Sequence, residues 1–145
     1  MILRPATPLD AGRVGAILSG WIDETPWMPR IHTRAEDIAH AAMMVDRGWV
    51  TVAAAPDITG FIARDGDDIH ALYIDASVRG KGHGARLLTD AMQHEDRLTL
   101  WTFQANTRAQ TFYERHGFEP VEHTDGAGND EGLPDIRYHW QRTPA

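Results

Sequence analysis

Apolar residues along this chain recur in two rhythms, and the switches between them mark out its elements. Ile2 to Arg4 reads as a short strand ended by Pro5 and Pro8. Leu9, Val14, Ile17, Leu18 and Trp21 then return at helical spacing and predict a helix from about Leu9 to Ile22. Pro26 and Pro29 prevent the segment from Asp23 to Arg30 from continuing that helix, so it is expected to be a loop whose Trp27 and Met28 need apolar cover. Thr33 followed by Glu36 has the form of a capping box, and Ile38, Ala41, Ala42 and Val45 give a second helix its apolar stripe, ending near Gly48. The period then shortens. Trp49 to Ala54, Ile58 to Arg64 and Asp68 to Ile74 read as strands joined by the turn sequences Pro56-Asp57 and Asp65-Gly66-Asp67, which predicts an antiparallel meander.

Beyond the meander the pattern alternates. A glycine-rich stretch opens a helix whose Leu87, Leu88, Ala91 and Met92 form the buried face, and Leu98 to Phe103 follows as a strand. Asn106 to His116 is helical, with Gly117 in the position favoured for a left-handed cap, and Phe118 to Glu122 resumes as a strand. Thr124 to Pro134 is polar, acidic and glycine-containing, hence a loop, and Ile136 to Gln141 is the last strand. No internal repeat, low-complexity tract or linker interrupts the series.

Composition narrows the chemistry. A chain of 145 residues with 42% hydrophobic content suits one domain with its own core, here 1–145. It contains no cysteine, which removes thiolate nucleophiles and cysteine-bound metals from consideration. Its formal net charge of −7 argues against nucleic acid as a partner, because that binding draws on many Lys and Arg contacts to phosphate. No apolar run is long enough to cross a bilayer, and the first residues lack the apolar stretch of a signal peptide, so no membrane association and a cytoplasmic location are expected. The eight histidines show no ligand spacing, and no metal is expected.

Against this acidic background one segment is basic. Arg79-Gly80-Lys81-Gly82-His83-Gly84 lies between a strand and a helix, and it contains the one lysine of the chain. Glycine at such a junction lets backbone N–H groups turn outward with no Cβ in the way of a ligand, and the helix N-terminus adds a partial positive charge. The run is not the Gly-x-x-x-x-Gly-Lys-Ser/Thr of a nucleotide loop or the Gly-x-Gly-x-x-Gly of a dinucleotide site. Steric need alone could also place glycines here. A second motif, Asn106-Thr107-Arg108-Ala109-Gln110-Thr111-Phe112-Tyr113-Glu114-Arg115-His116-Gly117-Phe118, follows about two dozen residues later, and the two together are far more specific than either alone.

Together the two motifs resemble those of the GCN5-related N-acetyltransferase (GNAT) superfamily. Its acetyl-CoA loop reads Arg/Gln-x-x-Gly-x-Gly/Ala and its later helix Asn-x-x-Ala-x-x-Phe-Tyr-x-x-x-Gly-Phe. The resemblance implies an α/β (α+β) fold, a central mixed and mostly antiparallel sheet of about seven strands flanked by about four helices. It implies acetyl-CoA as co-substrate and an amine acceptor, either a small molecule or a protein amine, attacked directly in a ternary complex. Carried onto this sequence, the cofactor-binding residues are Leu72, Tyr73 and Ile74 on the strand beside the pantetheine arm, Arg79, Gly80, Lys81, Gly82, His83 and Gly84 around the pyrophosphate, and Asn106. Tyr113 matches the general acid that protonates the departing thiolate.

The chain departs from the family pattern at the base. Many relatives have a glutamate five residues before the asparagine, where this sequence has Trp101. An alkylammonium of pKa near 10.4 is deprotonated at neutral pH in only about one molecule in 2,500, so help is expected, and His70, Asp75 and Glu24 are the candidates. The same departure motivates an alternative, an acyl-CoA-binding sensor or scaffold without turnover. The acceptor site implied by the resemblance spans Trp21 to His32 and the loop from Thr124 to Asp135; Glu24, Trp27, Met28 and His70 are its candidate residues, with Asp125, Asp130, Glu131 and Asp135 able to attract a cation. Pairing of the last strand through Tyr138 and Trp140 offers a route to a homodimer.

Overall fold

The computed structural model describes residues 1–143. Its elements, in chain order, are β1 (Ile2–Pro5), α1 (Ala11–Asp23), α2 (Arg34–Asp46), β2 (Val50–Ala54), β3 (Ile58–Asp65), β4 (Asp68–Ile74), α3 (His83–His94), β5 (Arg97–Phe103), α4 (Thr107–Arg115), β6 (Glu119–His123) and β7 (Asp135–Gln141). The seven strands form one sheet in the order β1-β2-β3-β4-β5-β7-β6. Every neighbouring pair is antiparallel except β4 and β5, which the intervening α3 makes parallel. The expected mixed sheet with four helices is therefore present.

Two apolar layers cover the sheet. On one face α1 and α2 bury Val14, Ile17, Ala41 and Met44 against Val52 and Phe61. On the other, Leu87 and Leu88 of α3 and Tyr113 of α4 pack with Phe118 onto Leu98, Leu100, Ile136 and Tyr138. Each fully buried Leu, Ile or Phe side chain contributes about 1.5–3 kcal/mol relative to exposure, so these layers are the main attraction holding the helices to the sheet.

Three sequence expectations need correction. The first α-helix starts at Ala11, because Pro8–Asp10 forms a separate 3-10 turn held by Asp10, which accepts from the Thr7 N–H at 2.8 Å and pairs with Arg4 at 2.7 Å. Leu9 consequently points outward, 95% exposed, and is not part of the stripe. In α2 the Thr33 and Glu36 capping box forms as expected, but Ala42 is exposed and Met44 is the buried residue. Finally, β7 lies between β5 and β6, so both of its edges are used and it cannot pair across a dimer.

The feature that positions the site is the short reach of the β4 and β5 pairing. The two strands are in register only at Asp68 with Thr99 and Ile69 with Leu100. Beyond that point they part. Leu72, Tyr73 and Ile74 keep their antiparallel partners Ile62, Phe61 and Gly60 on β3, while their edge toward β5 has no strand partner. A V-shaped opening results in the middle of the sheet.

Candidate active site

Backbone groups that lack a protein partner mark one side of the opening. Gly80 and Gly82 both take left-handed backbone angles, φ 79° and 85°, which residues with a Cβ adopt only with strain. Gly82 is the N-cap of α3, and its carbonyl accepts from the Arg86 N–H at 3.1 Å. Among the described residues, the N–H groups from Gly80 to Ala85 have no acceptor in the protein. Exposed donors at a helix N-terminus form a cradle for an anion. Phe112 of α4 supports the cradle from behind, its ring lying 3.5 Å from where a Cβ on Gly84 would stand.

The charged side chains of this loop are arranged differently from what its basic appearance suggests. Arg79 forms an ion pair with Glu24 at the end of α1 and donates to the Ile74 carbonyl at 3.3 Å. Its guanidinium thus ties the loop to α1. His83 shares a hydrogen bond of 2.9 Å between Nδ1 and the Thr59 hydroxyl, which turns its ring toward the sheet. Lys81 is exposed and has no hydrogen-bond or ion-pair partner among the described residues, so it is the side-chain charge available beside the cradle.

Tyr113 lies below the opening, on α4. Its ring is buried among Phe112, Phe118 and Tyr138, at centroid distances of 5.3, 5.5 and 6.3 Å. No side-chain polar atom is both fully buried and unpartnered among the described residues, and the Tyr113 hydroxyl makes no protein hydrogen bond. The hydroxyl is therefore not wholly closed off, and it lies near enough to Tyr73 of β4 for the two phenols to influence each other. Burial pushes its pKa well above the ordinary phenol value, and the neighbouring Tyr73 pushes it the same way, so the group holds its proton at neutral pH. Asn106, at the start of α4, caps the helix through Oδ1, which accepts from the Ala109 N–H at 3.1 Å. Its amide NH2 is left for another acceptor.

On the opposite side of the sheet the opening is lined by aromatic rings. Tyr73 of β4 lies 5.0 Å from Trp21, Trp21 lies 5.8 Å from Trp27, and Trp27 lies 5.8 Å from Phe103 of β5. Trp27 thus reaches from the α1–α2 loop to the far strand. That loop is held by Arg30, which donates to the Ser19 carbonyl and hydroxyl at 2.9 and 2.8 Å and pairs with Asp23 at 2.7 Å and the buried Asp37 at 2.9 Å. Beside Phe103 a cavity of about 540 Å³ opens, lined by Trp101, Thr102, Phe103, Thr124, Gly128, Asn129, Glu131 and Asp135. Trp101 forms a half-exposed wall, and the loop between β6 and β7 provides the other.

Of the candidate acceptor residues, the structure brings Trp27 to this cleft and engages Glu24 and His70 elsewhere. Glu24 is paired with Arg79. His70 stacks on Trp49 with ring centroids 4.7 Å apart, near the β4 end that pairs with β5, three residues before Tyr73. Asp75 accepts from the Ser77 N–H at 3.2 Å and pairs with Arg13 at 3.5 Å, so its oxygens organise the turn after β4. The Met28 side chain is partly buried in the same loop as Trp27, and its N–H bonds to the Thr25 carbonyl. The sequence placed Trp21 and Asn129 inside the two segments expected to build the acceptor site but gave neither a role, and it did not single out Phe103. Trp21 also fits a helical stripe and Phe103 ends a strand, and the parting of β4 from β5 is what brings both beside a cleft.

The residues present fit acetyl-CoA. The N–H groups of the α3 cradle suit its pyrophosphate, the unpaired β4 edge suits the amide-bearing pantetheine arm, and the Tyr113 phenol stands near Tyr73 on that edge. Among the described residues, no helix is long and apolar enough to cross a membrane, and no group of three or more His, Asp or Glu side chains is placed to hold a metal ion.

Comparisons with known proteins agree with this geometry. The model of the acetyltransferase (GNAT) domain matches residues 32–120. The peptidyl-lysine N-acetyltransferase YjaB of Escherichia coli is 32% identical over 108 residues, 73% of this chain and 74% of that protein. Its namesake in Salmonella typhimurium is 37% identical over 71 residues, a stretch that spans about half of each chain, 49% in both. Among solved structures, apo YjaB from Escherichia coli superposes with a TM-score of 0.79 at 22% identity, covering 99% of this chain and 100% of that one. The yncA structure from Salmonella typhimurium with its cofactor acetyl-CoA gives 0.75 at 19% identity, covering 100% and 95%. With well over half of its length matched by the family model and both motifs placed around one opening in the sheet, the chain belongs to the GNAT family of acetyl-CoA-dependent N-acetyltransferases.

Proposed function

We propose that the acceptor is a primary alkyl amine, a lysine side chain in a peptide or a small amine of the same chemistry, and that it attacks acetyl-CoA directly. The observation that carries this reading is the opening between β4 and β5, which has anion-binding N–H groups and Tyr113 on one face and an aromatic, acid-lined cavity on the other. Donor and acceptor can enter from opposite faces and meet at Tyr73. The names of the two curated relatives support a lysine amine, and the absence of cysteine favours direct attack over an acyl-enzyme carried on a thiol.

Acetyl-CoA supplies an acetyl thioester. The chain holds the amine against the carbonyl carbon, and N–H groups on the open edge of β4 stabilise the oxygen as it gains charge. The C–N bond forms and the C–S bond breaks. Tyr113 gives its proton to the departing sulfur and regains one from the nitrogen, while the first ammonium proton leaves to solvent before attack. This reading favours turnover over a scaffold role, because Tyr113 holds a proton to give at neutral pH.

The test is release of free CoA thiol with a panel of acceptors: a lysine-containing peptide, small alkyl amines and arylamines. Release with the peptide or the alkyl amines is expected. Binding of CoA with no thiol release from any acceptor would instead establish a non-catalytic module.

A further inference from the structure

Two carboxylates line the acceptor cavity, and their surroundings separate their tasks. Asp135 is engaged on both oxygens: Oδ1 accepts from the Thr124 hydroxyl, and Oδ2 accepts from Asn129 Nδ2 at 3.2 Å. Asn129 also donates to the Leu133 carbonyl at 2.7 Å and accepts from the Leu133 N–H at 3.2 Å. Asp135 is therefore a brace of the β6–β7 loop. Gly126 completes the brace with φ 85°, packed so closely that a Cβ would stand 2.3 Å from the Leu133 carbonyl. A loop fixed at this many points presents its remaining side chains in set positions.

Glu131 lies between these braces, on the turn in which the Gly132 N–H bonds to the Asn129 carbonyl at 3.2 Å. It lines the cavity, it is partly buried, and it has no hydrogen-bond or ion-pair partner among the described residues. The nearby rings of Trp101 and Phe103 line the same cavity. A carboxylate beside aromatic walls is a complementary setting for an ammonium group on an apolar stem, since the acid meets the charge and the rings meet the methylenes.

Resting on the reading of the acceptor as a primary alkyl amine, we infer that Glu131 is the residue that recognises the acceptor's ammonium group, with Trp101 as the wall against which its methylene stem lies. Trp101 occupies the place where many relatives carry a glutamate, and the carboxylate of this site comes from the β6–β7 loop instead. Glu131 also stands close enough for its negative charge to bear on Tyr73, whose pKa is pushed up to about 12, first by burial and then by that charge.

The experiment compares Glu131→Gln with the unaltered chain on two acceptors, a lysine peptide that is cationic at neutral pH and an arylamine that is not. Loss of one charge-assisted hydrogen bond is expected to lower kcat/KM for the peptide by roughly tenfold to a hundredfold and to leave the arylamine rate and CoA affinity unchanged. Butylammonium binding, followed by NMR titration without turnover, should weaken to the same degree. Glu122→Gln, which removes an exposed charge from β6, serves as the control. Equal loss on both acceptors, or none on either, would overturn the inference while leaving alkyl amine transfer standing. Failure of the unaltered chain to acetylate any alkyl amine would overturn the acceptor reading, and the inference with it.

Discussion

Residue by residue, the site divides between groups that bind through the backbone and groups that act through the side chain. The α3 cradle holds its ligand with N–H groups, so Lys81→Ala should weaken CoA binding by only a few-fold, as befits one exposed charge. Gly82→Val should weaken it far more, because a β-branched residue at φ 85° forces the turn that aims those N–H groups to change. Calorimetric titration with CoA measures both, and equal losses would show that charge rather than backbone geometry dominates. For Tyr113→Phe the expected result is a fall in kcat of about 10²- to 10⁴-fold with CoA affinity retained, the signature of a lost proton donor in an intact pocket. A wholly unchanged kcat would assign proton donation elsewhere.

Much of this layer was legible in the sequence because it is local. Glycine spacing reports positive φ, and Asn106 with Tyr113 and Gly117 lies within one helix and its cap. The partners of charged residues were not legible. Arg79 is 55 residues from Glu24, and nothing in either neighbourhood announces their pairing. The same holds for Glu131, one acid among several in a polar loop until Asn129 and Thr124 are seen to occupy Asp135.

Among the elements, the order of strands and helices followed from hydrophobic period and turn chemistry, and the boundary that moved did so for a local reason. Leu9 fits a helical stripe by spacing, yet Pro8 and the Asp10 pair with Arg4 and Thr7 stabilise a separate turn that faces it outward. The α1–α2 loop was recognised as ordered by its Trp and Met, but the device that orders it, Arg30 bridging Ser19, Asp23 and the buried Asp37, has no sequence signature. Arg30→Met should therefore lower the urea midpoint, since Asp37 loses its cation, and should raise the acceptor KM by releasing Trp27 from Phe103. CoA affinity should stay as it was, because the cradle belongs to α3. A parallel loss of CoA binding would mean that the loop and the cradle are one cooperative unit.

Across the whole molecule, the opening in the sheet is a compromise between stability and access. Parting β4 from β5 leaves backbone groups unpaired and brings two tyrosines close to the gap with their phenols held neutral by burial. The consequence for pH follows by linkage. Unfolded phenols ionise near 10, whereas Tyr73 in the fold does so at about 12 and Tyr113 is also raised, so the unfolded state loses protons first as pH rises. Stability is therefore unaffected by these groups below pH 10 and falls above it, by about 1.4 kcal/mol per pH unit for each phenol still protonated in the fold. Urea midpoints between pH 9 and about 11 should show the decline, and Tyr73→Phe should reduce its slope.

In the proposed reaction acetyl passes directly from acetyl-CoA to an amine held on the other side of this opening. Initial rates of thiol release, measured while acetyl-CoA and a lysine peptide are varied together, test it most directly. Intersecting double-reciprocal lines are expected, with one acetylated amine formed for each thiol released. Parallel lines, the pattern of an acyl-enzyme intermediate, would contradict it, as would thiol release without acetylated peptide.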